Sequence, residues 1–128
     1  MITVPVKTAS RRQMLDITAH VDRALDELAA DHGVCHVFVP HTTAAVVVNE
    51  NADPDVQRDL LAAWERLIPD IRFAHREGNS DAHLLSTLLG ASVTVPVQGG
   101  RLQLGTWQSV FFVELDGPRS RKVWVSVV

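Results

Sequence analysis

Six histidines and no tyrosine make imidazole the first chemistry to look for in this chain. Three of the histidines fall in polar segments. His41 lies in Pro40-His41-Thr42-Thr43, where the apolar run over residues 34–39 must turn. His75 and His83 bracket Arg76-Glu77-Gly78-Asn79-Ser80-Asp81-Ala82. With Ser80 capping a helix, His83 falls in its first turn, where the positive helix end favours neutral imidazole. Neutral imidazole is the form that binds a metal. His41, His75 and His83 together meet the three-protein-ligand count of an open zinc site. Their spacing matches no known zinc motif, and a turn histidine bonded to nearby backbone, or a solvated loop, accounts for the same residues.

Three more segments carry polar groups that could act on a small molecule. In Asn49-Glu50-Asn51-Ala52-Asp53 four polar side chains close an apolar run. Asp53 reads as a helix cap, which leaves room for a functional role as well. Glu50 and Asn51 are less easily explained by capping. In Leu104-Gly105-Thr106-Trp107-Gln108 the glycine points to a bulge or a close backbone approach. Trp107 there suits either the wall of a pocket for a flat ring or a core position beside a bulge. In Glu114-Leu115-Asp116-Gly117-Pro118-Arg119-Ser120-Arg121, ordinary turn residues sit beside two arginines. Arg119 and Arg121 either hold a phosphate or pair with Glu114 and Asp116, and composition favours the pairing. The chain has no glycine-rich phosphate loop, dinucleotide fingerprint, paired-cysteine site or GxSxG elbow.

These residues need elements to position them. The pattern predicts strands over 1–8 and 13–17, then a helix from Ala19 to about Asp31, capped by Thr18 and closed by Gly33. Strands follow over 34–39 and 45–49. Asp53-Pro54 opens a second helix that Pro69 ends. Ser80 caps a short third helix through Leu89, with Gly90 as its terminator. Residues 92–97 and 102–104 form a hairpin around Gln98-Gly99-Gly100-Arg101. A second hairpin is expected from residues 109–115 and 121–128. Helices and strands do not alternate strictly, so the expected class is α+β, a single compact domain over 1–128 with a largely antiparallel sheet and about three helices.

Composition narrows the function classes. A chain of 128 residues with 46% apolar and 21% charged residues is long and apolar enough to bury a core. With 12 basic against 15 acidic residues the net charge is −3, which disfavours nucleic acid as a partner. No apolar run approaches a membrane span. The start of the chain lacks a secretory signal pattern, and the lone Cys35 can form no internal disulfide, so the expected location is the cytoplasm.

Taken in order, five segments resemble the YjbQ family, whose members are often called secondary thiamine-phosphate synthases. They are His41-Thr-Thr-Ala44, Asn49-Glu-Asn-Ala-Asp-Pro-Asp-Val56, His75-Arg-Glu-Gly-Asn79 with His83, Leu104-Gly-Thr-Trp-Gln108, and Glu114-Leu-Asp-Gly-Pro-Arg119. The resemblance runs through almost the whole chain. It implies a homotrimer with a pocket at subunit boundaries, built from these segments, and a divalent metal, zinc by preference, at His41, His75 and His83. It implies weak thiamine-phosphate synthesis, in which a hydroxymethylpyrimidine pyrophosphate and a thiazole phosphate are joined and pyrophosphate leaves. On that reading Glu50, Glu77 or Asp53 handles protons, Arg119 and Arg121 bind phosphate, and Trp107 stacks on the pyrimidine. Thr42, Asn51, Asn79 and Gln108 complete the substrate contacts. The alternatives are a metal-dependent hydrolase of a small metabolite and a non-catalytic metabolite- or metal-binding protein. Phe73 departs from the tyrosine expected two positions before His75, so a role that needs that hydroxyl is lost here.

Overall fold

The computed structural model describes residues 1–128. Eight strands and three helices follow one another as β1 (Ile2–Lys7), β2 (Gln13–Asp16), α1 (Thr18–Leu28), β3 (His32–Phe38), β4 (Ala44–Glu50), α2 (Pro54–Leu67), α3 (Ser80–Leu89), β5 (Ser92–Gln98), β6 (Arg101–Leu102), β7 (Gln108–Glu114) and β8 (Ser120–Val127). They form two sheets, ordered β1-β8-β3-β5-β6 and β2-β7-β4. Every strand pairing is antiparallel. The α+β class and the three helices agree with the sequence pattern. No helix is long and apolar enough to cross a membrane.

The run Val110-Phe111-Phe112-Val113 explains the layering. All four side chains are fully buried, as expected of a strand covered on both faces. Val110 and Phe112 join the larger core, with Val37 and Val125 of the five-stranded sheet and Val21, Ala24 and Leu25 of α1. Phe111 and Val113 face the other way, into a smaller core with Ala82 and Leu85 of α3. Leu60, Leu61 and Trp64 of α2 pack against that second core while only partly buried. Arg12 ties this layer together: its guanidinium bridges Glu65 of α2 and Asp81 of α3.

Several local expectations hold. Asp53 caps α2, accepting the Asp55 amide at 2.9 Å, with Pro54 as the first helical residue. Gly99 (φ 60°) and Gly100 (φ 73°) occupy the left-handed region in the β5–β6 turn, which is the requirement of a two-residue hairpin. Gly90 follows α3 at φ 101°.

Others are corrected. The first helix ends at Leu28, and Ala29 rather than Gly33 takes the left-handed cap, at φ 52°. Thr18 is the first helical residue; its hydroxyl accepts the Val110 amide, and Asp16 accepts the Thr18 amide instead. Asn79, not Ser80, occupies the cap position of α3, without a side-chain cap bond. Residues 109–115 and 121–128 do not form a hairpin: β7 pairs with β2 and β4, while β8 pairs with β1 and β3. The segment Asp116-Gly117-Pro118-Arg119 therefore carries the chain from one sheet to the other. Its turn residues signal a reversal but cannot say which strand receives the chain.

Gly33 is needed for space. At φ 130°, a Cβ there would meet the Val128 carbonyl oxygen at 2.5 Å. Gly33→Ala is expected to cost about 1–3 kcal/mol through backbone strain, read as a lower denaturation midpoint with an unchanged denaturant slope.

Candidate functional site

A cavity of about 730 Å³ opens where three connections meet. The β3–β4 turn contributes His41, Thr42 and Thr43. The stretch before α3 and its first turn contribute His75, Glu77, Asn79 and His83, and the crossing from β7 to β8 contributes Arg119 and Arg121. Eight of the residues singled out by sequence thus meet in one place: His41, Thr42, His75, Glu77, Asn79, His83, Arg119 and Arg121.

The wall is built around a buried ion pair. Glu114 is fully buried at the end of β7. Arg121 donates to it through Nε (2.9 Å) and Nη2 (2.5 Å). Nη2 also donates to the Thr43 hydroxyl (2.9 Å) and carbonyl (3.1 Å). The Thr8 hydroxyl (2.7 Å) and the Leu115 and Asp116 amides (3.0 and 3.1 Å) complete the carboxylate's shell. Burial alone would raise the Glu114 carboxyl; the donors from Arg121, Thr8 and Asp116 outweigh it and hold the group below its ordinary value. The Arg121 side chain is only 5% exposed, yet Nη1 takes no protein acceptor. A guanidinium fixed on one side with its other nitrogen unspent is prepared to receive an anion.

Arg119 makes a smaller version of the same arrangement. It donates from Nε to the Asp116 carbonyl (2.7 Å) and from Nη2 to the Asp116 carboxylate (3.0 Å). Asn79 Nδ2 donates to the same carboxylate oxygen at 3.0 Å, which makes Asn79 and Arg119 neighbours. Burial opposes the charge on Asp116, and the donors from Asn79 and Arg119 prevail, so its carboxyl lies below the ordinary range. Both arginines therefore pair with acids, as composition suggested, and still line the cavity.

The histidines divide into one and two. His41 Nε2 accepts the Lys122 amide at 3.0 Å. A nitrogen that accepts is unprotonated, so the ring proton sits on Nδ1, and His41 donates in this arrangement rather than ligating. Burial, then the neighbouring Arg121 charge, lowers its pKa and keeps it neutral near pH 7. His75 and His83 approach edge to face, with ring centroids 5.5 Å apart. Glu77 Oε1 lies 3.9 Å from His75 Nε2. These donor types suit a borderline cation such as zinc, but no group of three histidine, cysteine or acidic side chains is gathered to hold one. Among the cavity's imidazoles, His75 and His83 are the close pair.

The remaining candidates lie elsewhere. Ala44 of β4 faces Glu114 of β7, and Glu50 faces Gln108 at the other end of the ladder. Seven residues of strand separate these ends by about 20 Å. Glu50, Asn51, Asp53, Trp107 and Gln108 thus lie away from this cavity within one chain. Several have structural partners. Asn51 Nδ2 donates to Asp16 (2.7 Å) and Ser109 (3.2 Å), and its Oδ1 accepts Gln57 (2.9 Å). Gln108 Oε1 accepts the Gly105 amide at 2.8 Å. Gly105 therefore stands in a turn, and Trp107 at its tip is 63% exposed rather than in the core.

Sequence reasoning missed Thr8, which follows the end of β1 and whose hydroxyl bonds Glu114. The available signal was Glu114 itself, an acid closing the continuous apolar run 110–113 and followed by Leu115. Such an acid is buried and needs donors.

Residues 2–128 match the family model described as UPF0047 protein YjbQ-like. The chain belongs to this family. Among curated family members, the UPF0047 protein MJ1081 of Methanocaldococcus jannaschii is 44% identical over 124 residues, covering 96% of this chain and 90% of its relative. The UPF0047 protein YugU of Bacillus subtilis is 43% identical over 128 residues, covering 98% and 97%. Solved structures of the family share the fold. An uncharacterized conserved YjbQ/UPF0047 protein from Clostridium acetobutylicum superposes with TM-score 0.95 at 45% identity, covering all of both chains. The conserved hypothetical protein TT1486 from Thermus thermophilus does so with TM-score 0.90 at 42% identity, also over all of both chains.

Proposed function

We propose that the His41–Arg121 cavity binds a small phosphorylated metabolite and that the chain is a small-molecule transferase with weak thiamine-phosphate synthase activity. The observation that carries this reading is the unspent Nη1 of a nearly buried Arg121 on the wall of a cavity that also holds Arg119 and three imidazoles. In the proposed reaction the thiazole nitrogen forms a bond to the pyrimidine methylene carbon. The carbon–oxygen bond to pyrophosphate breaks, and its electron pair leaves with the pyrophosphate. Charge develops on the leaving oxygens, where fixed N–H donors contribute most. Arg121 Nη1, Arg119 and the Nδ1–H of His41 are the donors for that role. Glu77 is the cavity's one acidic side chain and is the group proposed to handle a proton in the reaction. A divalent metal, zinc by preference, would be held by His75 and His83 and would add Lewis-acid neutralisation of the pyrophosphate. His41 joins that set only by releasing the Lys122 amide.

The working unit on this reading is a cytoplasmic homotrimer. Leu67 (63% exposed), Ile71 (59%) and Leu88 (63%) offer apolar surface for contacts between copies. A neighbouring copy would bring the Glu50 and Trp107 end to a cavity that its own chain cannot reach. Light scattering should then give a mass of three 14.1 kDa chains; a monomer would remove this part of the proposal.

A second reading, a non-catalytic metabolite-binding protein, is favoured by the distance of Glu50 and Trp107 from the cavity. Turnover separates the two. Purified protein given both thiamine precursors should release pyrophosphate and thiamine phosphate in equal amounts, above a chelator-treated control. Glu77→Gln should slow that release at unchanged metal content, and His75→Ala with His83→Ala should lose the metal. Tight pyrophosphate binding without product would favour the binding reading. Neither binding nor product would overturn both.

A further inference from the structure

We infer that residues 70–78, between α2 and α3, form a strap that closes over the His41 cavity when an anion enters it. The inference rests on the phosphorylated-anion reading of that cavity and gives it a moving wall.

All of residues 69–78 are exposed and none lies in a helix or strand. No hydrogen bond joins residues 72–78 to the rest of the chain; the one bonded amide nearby is that of Ile71, to the Pro69 carbonyl at 3.0 Å. Both ends are fixed. Ile68 packs against the smaller core. Asn79 is buried, with Nδ2 on Asp116 at 3.0 Å and its carbonyl accepting the Ala82 and His83 amides. Next to that anchor, Gly78 stands at φ 79° with nothing within 4 Å of where a Cβ would be. A glycine in open space can change its dihedrals without a clash.

This unbonded stretch nevertheless carries two of the cavity's polar walls, His75 and Glu77. Their side chains are 43% and 75% exposed, and the nearest charged partner of His75 is Glu77 on the same segment, at 3.9 Å. A segment with no bonds to lose moves at little cost. Closure then needs only a ligand that binds the closed arrangement better. An anion held by Arg119 and Arg121 supplies that difference, because the amides of residues 72–78 have no protein acceptor and its oxygens can accept them. The charge favours the same ligand: residues 72–78 hold Arg72 and Arg76 against Glu77 alone. A closed strap would also keep water from a departing pyrophosphate.

The test follows backbone amide exchange in the full chain with and without saturating inorganic pyrophosphate, with binding read separately at the Arg121 Nη1 resonance. Residues 72–78 should exchange near the unprotected rate in the free chain and slow by about tenfold in the complex. Arg72 and Phe73 line no part of the open cavity, so their slowing together with His75 and Glu77 marks closure rather than direct contact. Pyrophosphate that shifts Arg121 while exchange over 72–78 is unchanged, or slows only at His75 and Glu77, would overturn the strap and leave the anion reading standing. Pyrophosphate that moves neither signal would overturn both.

Discussion

Glu114→Gln is expected to destabilise the fold by about 3–5 kcal/mol, since removing one partner leaves the Arg121 charge buried and uncompensated. The packing is nearly unchanged by this substitution, so the loss reads out the charge pair. It would appear as a large fall in the midpoint of urea unfolding. Joining Glu114→Gln to Arg121→Met should recover much of the loss, because a neutral pair needs no compensation. The doubly substituted chain should then fold without binding pyrophosphate, which separates the pair's structural role from the anion role of Arg121. The pH dependence has a definite sign. Glu114 and Asp116 both titrate below their ordinary values in the folded chain. Their contribution is fully present above about pH 4–5, the unfolded carboxyl range, and is lost as pH falls through the folded values. Acid should therefore destabilise the unsubstituted chain more steeply than the chain carrying Glu114→Gln.

Phe111→Ala should cost about 3–5 kcal/mol, the usual range for emptying a fully buried phenylalanine site. Phe112→Ala should cost as much, but the two losses should fall in different places. Phe112 packs between the sheets, whereas Phe111 packs with Ala82 and Leu85 of α3. Hydrogen exchange should show α3 opening separately in Phe111→Ala and protected to the global limit in Phe112→Ala. Because α3 carries His83, Phe111→Ala should also weaken the proposed metal binding, while Phe112→Ala should not.

The sequence was most readable where chemistry and chain position coincide. Asp53-Pro54 names its own helix start, and Gly99-Gly100 its own hairpin turn, because cap and turn residues act over a few bonds. The run 110–113 falls in an expected strand, and its unbroken apolarity fits the burial of both its faces. What could not be read is long-range. Gly117 and Pro118 mark a turn equally well whether β8 returns beside β7 or crosses to β1 and β3, so the second hairpin was misplaced. That same crossing brings Arg119 and Arg121 to His41. Eight candidate residues meet in the cavity because their segments sit at one end of the sheets. Glu50 and Trp107 look equally functional in sequence, but the β4–β7 register puts them at the opposite end. Ala29 in the left-handed region shows tertiary packing overriding the glycine preference, as Gly33 is held for its close approach to Val128.

The central claim is that the His41–Arg121 cavity receives a phosphorylated anion. The most direct measurement is a titration of inorganic pyrophosphate into the uniformly nitrogen-labelled chain, observed at the Arg121 Nη1 and His41 Nδ1 resonances. Saturable shifts at both groups, with the Arg121 shift lost in Arg119→Gln together with His41→Ala, are the predicted result. Pyrophosphate that leaves both resonances unmoved into the millimolar range, or that binds equally well to the substituted chain, would contradict it.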